Sequence, residues 1–193
     1  MTGRLSRPGA LFLLAALVAG CFNSAAVQKM QEANWAYSMS PNFTMDRIWR
    51  IAILPPDVAQ AGTSGLLDHA GLLLMKPGRF SLVDRSQVDK ILQEQQFGSS
   101  GIVDPATAAK LGKLMGAEGV MTINITSVKH DEFFSDSPDQ RDAQLYVKII
   151  SVETSEVLYY AQGAGSSFEG PASALDGALD TALGPLIKKG SGQ

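Results

Sequence analysis

Apolar and polar positions change their period several times along the chain, and each change marks an element. Trp49–Leu54 is a short apolar run stopped by Pro55-Pro56, the pattern of a buried first strand. Leu66, Ala70, Leu73 and Leu74 then recur at helical spacing, and Pro77-Gly78 closes that helix. Phe80–Val83 reads as a second strand. Asp84 with Gln87 three residues on resembles a capping box, and Val88, Ile91, Leu92 and Gln95 continue a helix with one apolar stripe. Gly98–Gly101 reads as a loop. Asp104-Pro105 opens the next helix, a capping carboxylate followed by proline at the first helical position. That helix carries Ala108, Leu111, Leu114 and Met115, and Gly116 is its expected stop.

The period then falls to two. In Val120–Val128, Met121, Ile123 and Ile125 alternate with Thr122, Asn124 and Thr126. In Ala143–Val152, Leu145, Val147 and Ile149 alternate with Gln144, Tyr146 and Lys148. Thr154-Ser155 is a tight connection to Glu156–Gln162, so these two strands form a hairpin. Ala172–Lys189 makes a last helix with Leu175, Leu179, Ala182 and Leu183 inward, and Gly184-Pro185 is expected to kink it. The order β-α-β-α-α-β-β-β-α predicts an α/β (α+β) fold, a single mixed β-sheet covered by helices.

The chain's beginning has a different logic. Residues 1–8 are short and basic, with Arg4 and Arg7, and Ala10–Val18 is an uncharged apolar run. That run is about half of the roughly 20 residues a membrane-spanning helix needs. It is the layout of a secretory signal, here residues 1–20. It ends in Leu17-Val18-Ala19-Gly20-Cys21, which resembles the lipobox of bacterial lipoproteins. In those proteins the thiol takes a diacylglycerol and cleavage frees the amine for a further acyl chain. Each buried methylene contributes about 0.8 kcal/mol, so two or three chains hold a domain firmly on a bilayer. Phe22 stands where enterobacterial lipoproteins kept at the inner membrane carry aspartate, and this favours the outer membrane, periplasmic face. Residues 21–47 read as the lipidated N-terminus and a tether, with an end-to-end distance of roughly 25–30 Å. Residues 48–190 are the folded domain.

Composition narrows the chemistry. The 193 residues are 45% hydrophobic and 18% charged, enough for one well-packed domain once the signal is removed. The net charge of −3 becomes more negative without Arg4 and Arg7, so nucleic acid is not an expected partner. Cys21 is the only cysteine, which excludes an internal disulfide or a cysteine metal cluster. His69 and His130 have no second ligand at metal spacing. Gly62-Thr63-Ser64-Gly65 fits neither the hydrolase elbow nor the phosphate loop. Asp131, Glu132, Asp136, Asp139 and Asp142 lack the spacing of a calcium loop and read as a solvated acidic loop. No catalytic residue, cofactor site or metal site is assigned, and the chain reads as a non-enzyme.

One resemblance runs through the whole domain. Gly78–Gln95, with a strand ending in Val83-Asp84-Arg85 and a helix carrying Ile91-Leu92-Gln93-Glu94, is similar to the CsgG/HfaB family of outer-membrane lipoproteins of curli secretion and holdfast attachment. Ser100–Asp104, Ala108–Val120, Ile51–Pro55 and the turn Glu153–Val157, commonly T-G-E in that family, follow in the family's order. The resemblance covers roughly residues 48–166. Pore-forming members insert two long hairpins, and here the corresponding segments are Lys129–Asp142 and Ser167–Gly170. A membrane hairpin needs two strands of about 9–11 residues each, so the resemblance implies a short form without the pore.

What it implies is a lipid-anchored periplasmic adaptor or assembly factor of a CsgG-like secretion or surface-assembly system. The partners implied are the membrane through the N-terminal lipid, an envelope protein not named by the sequence, and a homo-oligomer. The alternative is an activator of a peptidoglycan synthase, since the domain also resembles that of LpoB. Phe133 and Phe134 stand in an otherwise polar loop between two strands. Either one or both fold back onto the domain's own sheet or helices, or they form a small docking patch for a partner or a neighbouring subunit, or they are a disordered tip or a shallow contact with lipid headgroups.

Overall fold

The computed structural model describes residues 37–56, 63, 65–95, 104–130 and 140–192. Within them six strands form one sheet: β1 (Tyr37–Met39), β2 (Trp49–Ile53), β3 (Phe80–Leu82), β4 (Gly119–His130), β5 (Arg141–Ser151) and β6 (Val157–Ser167). Four helices accompany them: α1 (Leu66–Met75), α2 (Arg85–Glu94), α3 (Pro105–Leu114) and α4 (Pro171–Gly190). The sheet order is β1-β6-β5-β4-β2-β3. β2 runs parallel to both β3 and β4, while β4, β5, β6 and β1 are antiparallel neighbours. The mixed sheet is the one expected, with β1 added at its edge.

Alternation along the strands divides the core in two. Ile51, Met121, Ile123, Leu145, Val147, Ile149 and Tyr159 face α1 and α4. Ala52, Val120 and Ile150, one residue out of phase, face α2 and α3. The second layer covers only one end of its face. Beyond Val120 and Ile150, no described helix contributes to a cluster on that side.

The helix boundaries follow from their caps. The Asp104 carboxylate accepts from the N–H groups of Ala106 and Thr107, each at 3.0 Å, with Pro105 at the first turn. Asp84 accepts from Ser86 N at 2.9 Å. Gln87 does not complete a capping box; its Nε2 points to Met115 O, 3.5 Å away on α3. Gly78 and Gly116 end α1 and α3 with φ of 66° and 64°, where a side chain would be strained. α4 runs on through Pro185, whose ring is buried.

Three expected boundaries are corrected. The stretch read as a tether to residue 47 enters the domain earlier: Tyr37–Met39 pairs with β6, and Phe43 is buried against Trp49. β6 continues past Gln162 to Ser167, because Gly163 and Gly165 let α4 lie directly on the strand. β4 and β5 likewise reach His130 and Arg141, so four residues of the supposed acidic loop are sheet. At the end of α3 Met115 takes the buried position and Leu114 is exposed. Residues 1–36, with the signal, Cys21 and most of the tether, lie outside the described residues, as do Phe133 and Phe134.

The β5–β6 turn carries a local mismatch. Ser155 has φ 59°, the left-handed region, and its N–H donates to Ser151 O at 3.0 Å. A non-glycine residue costs about 1–2 kcal/mol there, partly offset in glycine by its greater freedom when unfolded. Ser155→Gly is therefore expected to stabilise the domain by about 0.5–1 kcal/mol, read as a higher urea midpoint at unchanged slope. An equal or lower midpoint would show that the serine fits the turn without strain.

Candidate functional site

The residues that chemistry would need are scattered. Among the described residues no three His, Cys, Asp or Glu side chains are grouped to hold a metal ion. His69 Nε2 lies 3.0 Å from Asp180 Oδ1, linking α1 to α4 at the surface. Asp84 and Asp104 serve as caps. Hydrogen bonds from Ser86 hold the Asp84 carboxyl below its ordinary range, and those from Thr107 and Ala106 do the same for Asp104. The backbone of His130 pairs in register with Arg141.

Two recesses among the described residues come next. The first, about 580 Å³, lies where β2 and β4 begin and β5 turns into β6. It is a mesh of paired groups. Arg47 Nη1 binds Glu118 Oε1 at 2.5 Å, and its guanidinium lies 3.8 Å above the Trp49 ring. Glu118 Oε2 accepts from Arg50 N at 2.9 Å, and Trp49 Nε1 donates to Thr44 O at 2.8 Å. Glu156 accepts from Ser40 Oγ at 2.5 Å and Asn42 Nδ2 at 3.0 Å. Those two bonds, the serine's first, keep the Glu156 carboxyl below its ordinary range. The polar groups clasp the chain after β1 to the body of the sheet.

The second recess, about 540 Å³, is mainly apolar, with the Asp68–Arg85 ion pair (3.4 Å) among its lining residues, and lies at the edge strand β3, between α1 and α2. Ile53, Leu67, Leu82 and Val88 line it. Leu72 and Met75 on its rim are 66% and 58% exposed. Large apolar side chains left this open beside an unpaired strand edge suit a protein partner. The sequence held the signal: α1 reads Leu-Leu-Asp-His-Ala-Gly-Leu-Leu-Leu-Met, nearly apolar on every side, and such a helix belongs inside something. Spacing alone picks out Leu73 and Leu74 and passes over their neighbours.

A model of the family described as "Curli production assembly/transport component CsgG" matches residues 28–178. No curated protein matches the chain. Among solved structures, lipoprotein GNA1162 from Neisseria meningitidis superposes with a TM-score of 0.53 at 17% identity, over 73% of this chain and 99% of that one. The PelC dodecamer from Paraburkholderia phytofirmans gives 0.51 at 11% identity, over 79% of this chain and 96% of that one. At such identities the likeness is one of fold.

Proposed function

The chain belongs to the CsgG family, and from that premise we propose that it is a lipid-anchored, non-catalytic adaptor or assembly factor of a CsgG-like secretion or surface-assembly system in the cell envelope. The supporting observation is a family match over residues 28–178 with short connections at both points where pore-forming members insert hairpins. Ten residues separate β4 from β5, and three separate β6 from α4. Neither can supply two strands of about 9–11 residues.

In this reading residues 1–20 are a cleaved signal and Cys21 carries the acyl chains. The domain faces the periplasm from the outer membrane. The α1–β3 edge, with Leu72 and Met75, receives the protein partner, and Phe133 and Phe134 add a second contact in the β4–β5 connection. PelC is a dodecamer, and the same edge would serve a neighbouring copy in a homo-oligomer.

The test is made in cells fed a clickable fatty acid, with a photo-crosslinking residue in place of Leu72. The expected result is label on the wild-type chain and none on Cys21→Ser. Crosslinks should join the chain to an envelope secretion or assembly protein. Crosslinks to a peptidoglycan synthase would replace this reading with that of an activator. An unlabelled wild-type chain would remove the anchor, and with it the outer-membrane location.

A further inference from the structure

The half of the sheet left uncovered by α2 and α3 has a consistent chemistry. Cross-strand partners share a face. One row across it is Thr122, Lys148, Tyr160 and Ser38, the next is Asn124, Tyr146 and Gln162, and the third is Ser127, Gln144 and Ala164. Lys148 is the only charged side chain in these rows, on a chain whose net charge is −3. The Tyr146 and Tyr160 rings lie 5.6 Å apart with planes 11° from parallel. Lys148 Nζ stands 5.4 Å from the Tyr160 ring centre. Tyr160 is 39% exposed, and beside it Ser38, Lys148 and Val157 line a shallow depression of about 470 Å³.

Three properties limit what such a surface can hold. Aligned tyrosine rings offer negative π faces to weakly positive C–H groups. Glutamine side chains at 144 and 162 can both donate to and accept from hydroxyl and amide groups. With Lys148 in these rows and Lys129 opposite Asp142 in the row beyond, the face carries a net charge of about one, so it neither repels a polymer bearing a few carboxylates nor accumulates a polyanion. A sugar strand meets all three, since its ring C–H faces stack on aromatics while its hydroxyls and N-acetyl amides reach sideways. A nucleic acid would need many more cations. An apolar helix would find too little apolar area.

We infer that the Tyr146–Tyr160 face binds a strand of N-acetylated amino sugars, the glycan of the cell wall, with Lys148 meeting its occasional carboxylates. The choice of wall glycan rests on the periplasmic location proposed above; the stacking surface itself does not. Binding holds the domain against the wall while its α1–β3 edge remains available to a protein.

The test uses the full chain purified in detergent, so that its outcome is independent of where the protein resides. Co-sedimentation with purified wall sacculi and calorimetric titration with an N-acetylglucosamine hexamer are the readouts. Wild type is expected to bind both. Tyr160→Ala should weaken both at least tenfold at an unchanged melting temperature, and Tyr160→Phe should retain binding. Should Tyr160→Ala not fold, Gln162→Glu, which removes two donors and adds a negative charge, carries the same expectation. Binding that all variants share would overturn the inference. So would capture of a soluble uronate polymer but not of sacculi. A wild-type dimer in sedimentation that Tyr160→Ala dissolves would overturn it too, by making the face an interface between copies.

Discussion

Replacing Gly163 by alanine is expected to lower stability by about 3 kcal/mol, and replacing it by valine is expected to leave the chain unfolded. A Cβ built on Gly163 falls 1.9 Å from the carbonyl oxygen of Ala178 and 2.8 Å from its carbon, with the Ala182 methyl at 3.0 Å. Two residues along, a Cβ on Gly165 would meet Ala174 O and Ala178 N, both at 2.3 Å. These obstacles are helix backbone, which cannot swing aside as a side chain can. α4 would have to lift from β6, and Ala174, Leu175, Ala178, Leu179, Ala182 and Leu183, all buried, would lose their fit together. Overpacking by a methyl group costs about 1–3 kcal/mol, and a rigid obstacle belongs at the top of that range. Against a total of about 5–15 kcal/mol, alanine leaves a weakened fold, and two further methyl groups exhaust the remainder. Urea unfolding followed by circular dichroism measures this. Ala164→Val, on the exposed face between the two glycines, should change the midpoint little. A Gly163→Ala midpoint matching that control would mean that α4 shifts freely and that the glycines are not what seats it.

The same glycines mark where the sequence stops being legible. Alternation in Val120–Val128 and Ala143–Val152 identifies both strands and both faces, because each strand is half-buried and its period is two. Asp104-Pro105 identifies a helix start because capping is local chemistry. The β6 tail, Gly163-Ala164-Gly165-Ser166-Ser167, has no strand signal of its own. It is a strand because α4 presses on one side and β5 pairs along its length, both distant in sequence. β1 is three residues in a polar stretch and exists through its pairing with β6. The functional surfaces divide the same way. That Tyr146 and Lys148 point away from Leu145 and Val147 is readable from alternation. That no described helix covers this part of the face depends on where α2 and α3 end their reach, which no local pattern specifies. The exposure of Leu72 and Met75 is likewise a tertiary fact about a helix whose sequence says only that it is apolar.

Tyr159 should make stability fall steeply in alkali. Its side chain is fully buried on the α4 side of β6, and its hydroxyl donates to Ala182 O at 2.6 Å. Burial pushes the Tyr159 phenol well above its ordinary value, and the nearby Tyr37 adds to the shift. The folded value thus exceeds the unfolded value of about 10. A proton held more tightly in the folded state contributes stability that is whole below that pH. The contribution is lost as pH rises, because the unfolded chain releases its proton first. Each pH unit above about 10 removes up to about 1.4 kcal/mol until the folded phenol itself ionises. Tyr159→Phe should cost about 1 kcal/mol at neutral pH, the net value of one hydrogen bond, and should flatten the decline between pH 10 and 12. Tyr159→Ala should cost about 3–5 kcal/mol at every pH, because the ring leaves a cavity against α4. Urea midpoints at pH 7, 10 and 11.5 for the three proteins separate these effects. If Tyr159→Phe loses stability in alkali as fast as wild type, the phenol is not the group responsible, and the buried bond to Ala182 does not set the limit on this fold.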